Sequence, residues 1–358
     1  MTGSAAAAPV ARPRRAAHGR GRLGPVGLGL LGIAALVAAV VAGVAAGTVA
    51  VAPGDTLAIL LHRVFGIGAV TWSPATEAIV MDLRLPRVLT ALTVGVGLSV
   101  AGVTFQGLLR NPLADPYVLG TASGAALGAA IAVILPVRTA ILEFGLLNVL
   151  AFVGALVAVF VVYRLSRVGS GPTTSLLLTG YAVGSLLAAG LAMAMYLSGA
   201  GLRQIFSYLL GGFDASSWGR LAGALPLVAI AAVLIGLRAR SLNGLLLGED
   251  AATHLGVDVR RERAVLLGLA SLATAAAVAV SGLVGFVGLV APHIVRLVVG
   301  PNARLVLPLS ALLGATFMVA ADLLARLLGD IPVGVVTAII GAPFFLGLLR
   351  STARGYEL

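Results

Sequence analysis

Side chains able to do chemistry are few in this sequence, and they gather in a handful of places. Between Arg238 and Val265 the chain reads RARSLNGLLLGEDAATHLGVDVRRERAV, with four acids (Glu249, Asp250, Asp258, Glu262) and five arginines (Arg238, Arg240, Arg260, Arg261, Arg263). Asp322 and Arg326 stand four residues apart, which puts them on one helical face as an ion pair. His293 follows Pro292 in GLVAPHIVR with no second histidine or carboxylate at ligand spacing, so no metal site is expected. There is no HExxH pattern and no cysteine, which excludes zincin chemistry, thiol catalysis, disulfides and Cys-based metal sites. All 24 basic residues are arginine. A P-loop needs a lysine to reach nucleotide phosphates, so a standard Walker A site is excluded. If ATP drives this chain, another subunit binds it. No catalytic residue is expected.

The elements that must carry these residues follow from composition. At 59% hydrophobic and 10% charged, the chain is far from a soluble fold, in which about a quarter of residues are charged. A hydrocarbon core needs roughly 20 apolar residues per helical crossing, and the abundant Gly and Ala suit close packing of membrane helices. The expected class is an all-α integral membrane protein. Residues 1–24, rich in Arg, Ala and Pro, read as a disordered cytoplasmic tail. The apolar run Val26–Ala52 is too long for the h-region of a signal peptide and reads as a first transmembrane helix. Further spans are expected at 86–108, 116–135, 140–163, 175–197, 219–237, 265–282, 286–299, 305–327 and 333–349, giving ten crossings in one helical unit over 25–350. Residues 53–83 form a longer loop with short interfacial helices, 239–264 a polar helical segment, and 351–358 a C-terminal tail. With the N-terminus inside, 17 arginines fall on the cytoplasmic side and seven, among them Arg63, Arg138 and Arg220, outside. The positive-inside rule therefore puts both termini and the polar segment in the cytoplasm of a multi-pass cell-membrane protein. The net charge of +11 serves orientation, and no nucleic-acid role follows from it.

Ion-coupled carriers place acids or histidines at the bilayer midplane. Almost none falls within these spans; Asp322 is the exception, near the outer end of its helix, where Arg326 satisfies it. An ATP-independent carrier or channel would lack its coupling groups, and would have no use for the polar segment. A membrane scaffold is the other alternative. The expectation from the residues is a pathway or scaffold whose energy comes from outside the chain, with the polar segment gripped by another protein.

The motifs agree with one family. RLPRVLTALTVGVGLSVAGVTFQGLLRNPLADPYVLGTASGAALG (Arg84–Gly128) strongly resembles the permease subunits of type II ABC importers, which serve iron–siderophores, haem and cobalamin. LLLTGYAVGSLL (Leu176–Leu187), LLGGFDASSW (Leu209–Trp218), LNGLLLGEDAATHLGVDVRRER (Leu242–Arg263) and the stretch Ser281–Arg350 match the same pattern in the same order. The resemblance covers about residues 55–350. It implies ten helices, a second permease subunit (the same chain or a paralogue), a cytosolic ABC ATPase dimer that binds ATP and Mg, and an extracellular binding (lipo)protein that delivers the substrate. This chain would bind no cofactor of its own.

The resemblance also implies roles. The segment 239–264 would be the coupling helices that sit in a cleft of the ATPase, with Glu249, Asp250, Ala251, Leu255, Gly256 and Val257 at the contact. Gly248 and Gly256 can break the chain around a short helix whose first turn is acidic, as the helix dipole favours. Arg84, Arg87 and Arg326 would accept carboxylates from the binding protein, the alternative being interfacial snorkelling. Asn111 and Leu113 in RNPLADP, with Thr173 and Thr174 in GPTTS, match the cytoplasmic gates; a plain helix-ending turn is the alternative. Tyr181, Gly184, Met193 and Tyr196 match a smooth pathway wall, although Gly180, Gly184 and Ala188 equally suit helix packing. Arg203 would lie near the entrance, where it either attracts an anionic substrate or docks the partner. The implied function is import of a ferric siderophore, or failing that haem or cobalamin, by alternating access.

Overall fold

The computed structural model describes residues 24–47, 49–135, 140–141, 144–166 and 172–354; the expected N-terminal tail, the end of the C-terminal tail, Arg138 and Arg167 lie outside them. Helix α1 (Pro25–Ala45) is followed by α2 (Pro53–Phe65), α3 (Pro74–Ala78) and α4 (Leu85–Leu108). The bundle continues with α5 (Thr121–Ile134), α6 (Leu146–Ser166), α7 (Pro172–Leu197) and the short α8 (Leu202–Leu210). Then come α9 (Trp218–Leu237), α10 (Ala239–Leu246), α11 (Glu249–His254), α12 (Val259–Ser281), α13 (Val287–Val299), α14 (Ala303–Leu327) and α15 (Val333–Arg354). A two-residue antiparallel pair, Ala140–Ile141 with Phe144–Gly145, precedes α6.

Among the described residues, seven helices are long and apolar enough to cross a membrane. Three shorter apolar ones, Thr121–Ile134, Val287–Val299 and Val333–Leu348, complete the ten. One expected span is corrected: the crossing placed at 116–135 is helical only over 121–134, whereas the one placed at 286–299 is helical over 287–299, within one residue of the expectation. Helices of 14 and 13 residues reach only about 20 Å, short of a core of about 30 Å. Non-helical segments 109–120 and 282–286 supply the rest of each path. They meet inside the protein: Tyr117 Oη donates to the Val284 carbonyl at 2.9 Å and accepts from Val284 N–H at 3.2 Å. Irregular backbone at membrane depth is tolerated only where protein satisfies it. The first span also ends early, at Ala45.

Helix α4 lies at the centre, buried on almost every side. It continues from α3 through a wide π turn at Ile79–Arg84. Pro86 lies just beyond, with no N–H to give and a ring that crowds the turn before it, a usual cause of such a bulge. Small residues let α14 approach. A Cβ on Gly314 would stand 2.7 Å from the Gly95 carbonyl, and one on Gly95 2.7 Å from Ala315 Cα. The two backbones are in contact over this stretch, as small-residue membrane interfaces allow. Gly102 packs as closely on Gly288 of α13, and Gly124 of α5 on Gly154 of α6.

Candidate coupling, gate and docking sites

Three groups of expected site residues map to two ends and one flank of this bundle. At one end α9 turns through Arg238 into α10, a short amphipathic helix that buries Leu242 and Leu245. Gly248, at φ 112°, breaks the chain before α11, and Gly256, at φ 79°, breaks it after. Val257 N–H returns to the Ala252 carbonyl at 3.0 Å, and the Asp258 carboxylate caps α12 by accepting from Arg261 N–H at 3.0 Å. Glu249 pairs with Arg263 at 2.7 Å, and Arg238 stands 3.7 Å from Glu262. Most of the island's charges thus order the island itself. Two leucines project instead: Leu255 is 65% exposed and Leu247, which the sequence reading passed over, 70%. Asp250 and Gly256 are exposed beside them, while Glu249, Ala251 and Val257 are half-buried. An apolar residue inside a charged segment was the available signal for Leu247.

The gate residues lie next to this end. Arg110, at φ 48°, reverses the chain after α4, and Asn111 Oδ1 accepts from Leu113 N–H at 2.9 Å in a tight side-chain turn. Asn111 is exposed, and Leu113 half-buried. Thr174 is exposed in the first turn of α7; of Thr173 only its place in that helix is described. Arg296 of α13 donates to Gln106 Oε1 of α4, one turn before the gate turn. His293 packs edge-on against Phe344, with ring centroids 6.1 Å apart. No cluster of metal-ligating side chains is found among the described residues.

Helix α7 presents Tyr181, Met193 and Tyr196 on a broadly exposed face, Tyr196 at 85%. Gly184 does not share it. It faces Gly120 and Ser123 at the start of α5, while Gly180 abuts the Val118 carbonyl, so these glycines serve packing. Arg203 is exposed on α8.

At the opposite end, the start of α4 and the end of α14 bring Arg84, Arg87 and Arg326 together around a cavity of about 420 Å³, with Phe213, Asp214 and Asp330 on its wall. These arginines are not free surface groups. Arg84 donates to the carbonyls of Val44, at 3.1 Å, Ala45, at 2.7 Å, and Val49. Arg326 donates to Gly43 and Ala46 carbonyls, both at 2.9 Å. Together they satisfy the orphan carbonyls that end α1. Asp322, fully buried, stands between Arg87 (Nε, 2.8 Å) and Arg326 (Nε, 3.1 Å), and Arg87 reaches on to the exposed Asp214 at 2.9 Å. The expected Asp322–Arg326 pair is therefore one arm of a shared carboxylate, hydrogen-bonded to Arg87 and ion-paired with Arg326. A partner carboxylate reaching Arg84 or Arg326 would have to enter the cavity and compete with α1.

A ten-helix bundle with a projecting polar loop at one end and an arginine-lined cavity at the other defines a polytopic membrane protein. The chain belongs to the FecCD transport family, whose pattern matches residues 35–351. It is 45% identical over 301 residues to the cobalamin import system permease protein BtuC of Halobacterium salinarum, covering 83% of this chain and 79% of that one. It is 42% identical over 274 residues to the hemin transport system permease protein HmuU of Yersinia pestis, covering 75% and 82%. In structure it resembles an inward-facing ABC transporter of the metal-chelate type, with a TM-score of 0.79 and 30% identity over 90% of this chain and 99% of that one. The protein is thus the permease subunit of an ABC importer, with ATP hydrolysed on a separate subunit. An ATP-independent carrier or a scaffold does not fit this family.

Proposed function

We propose that this permease moves a metal chelate (a ferric siderophore, haem or a cobalamin) into the cell by alternating access, after delivery by an extracellular binding protein. The relatives named above carry cobalamin and hemin by their names, which supports the chelate class. Two permease subunits, identical or paralogous, would enclose the path between their α7 faces, with Tyr181, Met193 and Tyr196 on its wall. Both termini and the α10–α11 island face the cytoplasm, as the arginine distribution favours. ATP and Mg bind the partner ATPase dimer, which grips the island at Asp250, Ala251, Leu255, Gly256 and Val257, with Glu249 holding its fold through Arg263.

One observation carries this reading most directly. The island ties Glu249 to Arg263 and caps α12 with Asp258, and beside its solvated charges it offers two leucines to water, an arrangement that suits insertion into a protein cleft better than a solvated loop. The turn at Asn111 and Leu113, with Thr173 and Thr174 at the start of α7, forms the cytoplasmic gate. On the outer face the cavity bounded by Arg84, Arg87 and Arg326 receives carboxylates of the binding protein, and Arg203 stands at the entrance.

ATP-dependent uptake into proteoliposomes holding this chain, its ATPase and its binding protein tests the proposal. Radiolabelled cyanocobalamin, haemin and a ferric hydroxamate siderophore are supplied separately. Uptake of one of them that requires ATP and the binding protein is expected. Equal entry with and without ATP would refute it.

A further inference from the structure

Helix α10 touches two different transmembrane helices at their island ends, and it does so by two different means. Leu242 fills the space left by Gly107 in the last turn of α4; a Cβ there would stand 3.2 Å from Leu242 Cγ. Asn243, the next residue, reaches α14. Its Oδ1 accepts from Ala303 N–H at 2.7 Å, and its Nδ2 donates to Asn302 Oδ1 at 2.9 Å. Asn302 is itself the N-cap of α14, with Oδ1 accepting from Arg304 N–H at 3.1 Å. One side chain of the coupling segment therefore supplies a cap to the first turn of a 25-residue helix.

The two helices so contacted form one unit. Their backbones touch at Gly95, Gly314 and Ala315. At the far end they are tied by Asp322, which binds Arg87 of α4 and Arg326 of α14. Packed helices with a backbone contact and a buried ionic tie move as a body rather than bend, because close-packed interiors transmit strain. Displacement of α10 thus reaches the outer cavity without passing through the gate turn.

We propose that Asn243 is a positioning residue that clasps the coupling segment to α14, and that the α4–α14 pair carries the ATPase stroke from the island to the outer arginine cavity. The inference rests on the coupling role proposed for the island. It does not require Asn243 to touch the ATPase: its amide is turned toward Asn302 and Ala303.

The absence of native cysteine makes the test clean. Leu328→Cys, an exposed position just past α14, reports the outer end through its rate of maleimide labelling. Measurements use the nanodisc-embedded complex of this chain with the ATPase captured alongside it, with and without ATP plus vanadate. The reporter chain is expected to change its labelling rate with nucleotide by about 5-fold or more, the lower end of coupling between linked sites. Adding Asn243→Leu is expected to abolish that change while ATPase capture and hydrolysis persist. In a third chain, which keeps Leu328→Cys, Asn243→Asp preserves an acceptor for Ala303 N–H. The change is expected to persist in that chain, unlike in the leucine variant.

An unresponsive reporter would overturn the strut. A leucine variant that still responds would overturn the clasp, and one that loses the ATPase would make Asn243 a docking residue instead. Failure of the reporter chain to capture any ATPase would refute the island's coupling role itself, a separate outcome.

Discussion

Replacing Asp322 by asparagine should destabilise the permease far more than replacing Asp214, although both carboxylates bind Arg87. The Asp322 side chain is 0% exposed and shared between Arg87 and Arg326, whose own side chains are 15% and 5% exposed. Asparagine keeps the volume, so no cavity contributes. The cost is that of leaving the buried Arg326 guanidinium without its counter-charge, while Arg87 keeps only the exposed Asp214; removing one partner of a buried pair costs about 3–5 kcal/mol. Arg326 also holds the end of α1 through Gly43 and Ala46, so α1 should loosen with it. Asp214 is 66% exposed, and exposed pairs contribute about 0.2–1 kcal/mol. Denaturant titration of the purified chains in one detergent, read by tryptophan fluorescence, compares wild type, Asp322→Asn and Asp214→Asn. A loss of about 1 kcal/mol or less for Asp322→Asn would refute the reasoning, as would equal losses for the two variants, given the surface-pair range.

Two further outcomes follow from the packing and the exposed faces. Tyr117→Phe leaves the buried Val284 N–H without its acceptor and should cost about 1–3 kcal/mol in the same titration; an unchanged midpoint would mean the two non-helical segments do not depend on that contact. Tyr196→Cys on α7, 85% exposed, should react with a water-soluble maleimide in the assembled importer, whereas Phe160→Cys on α6, 62% exposed, should not, because the proposed assembly turns the first to the path and the second to lipid. Equal reactivity would place α7 elsewhere.

Much of this was legible in the sequence, for reasons that differ from place to place. Apolar runs such as 305–327 declare themselves by length alone, and α14 occupies 303–327. The polar island stood out because charge is rare elsewhere, and Gly248 and Gly256 marked its breaks correctly, since only glycine adopts those φ values freely. The late start of α5 was less legible, because Tyr117–Gly120 continue its apolar run without being helical, whereas α13 was placed to within one residue. The commitment of Arg84 and Arg326 to the end of α1 was equally hidden: the partners are backbone carbonyls some 40 and 280 positions away in sequence. Asn243 and Asn302 carry no distinguishing signal in the sequence, because asparagine is common in turns, and only the meeting of α10 with α14 joins them.

The central claim is that the 239–264 island receives the ATPase. It is tested most directly by affinity capture of the tagged chain from its native membrane, with mass spectrometry of its companions, for wild type and for a Leu247→Glu/Leu255→Glu variant. The account predicts an ABC ATPase in stoichiometric amount with wild type and its loss from the variant, which should remain folded because both side chains are exposed and neither backbone has a positive φ. An ATPase retained equally by both chains, or absent from wild type under gentle extraction, would contradict it.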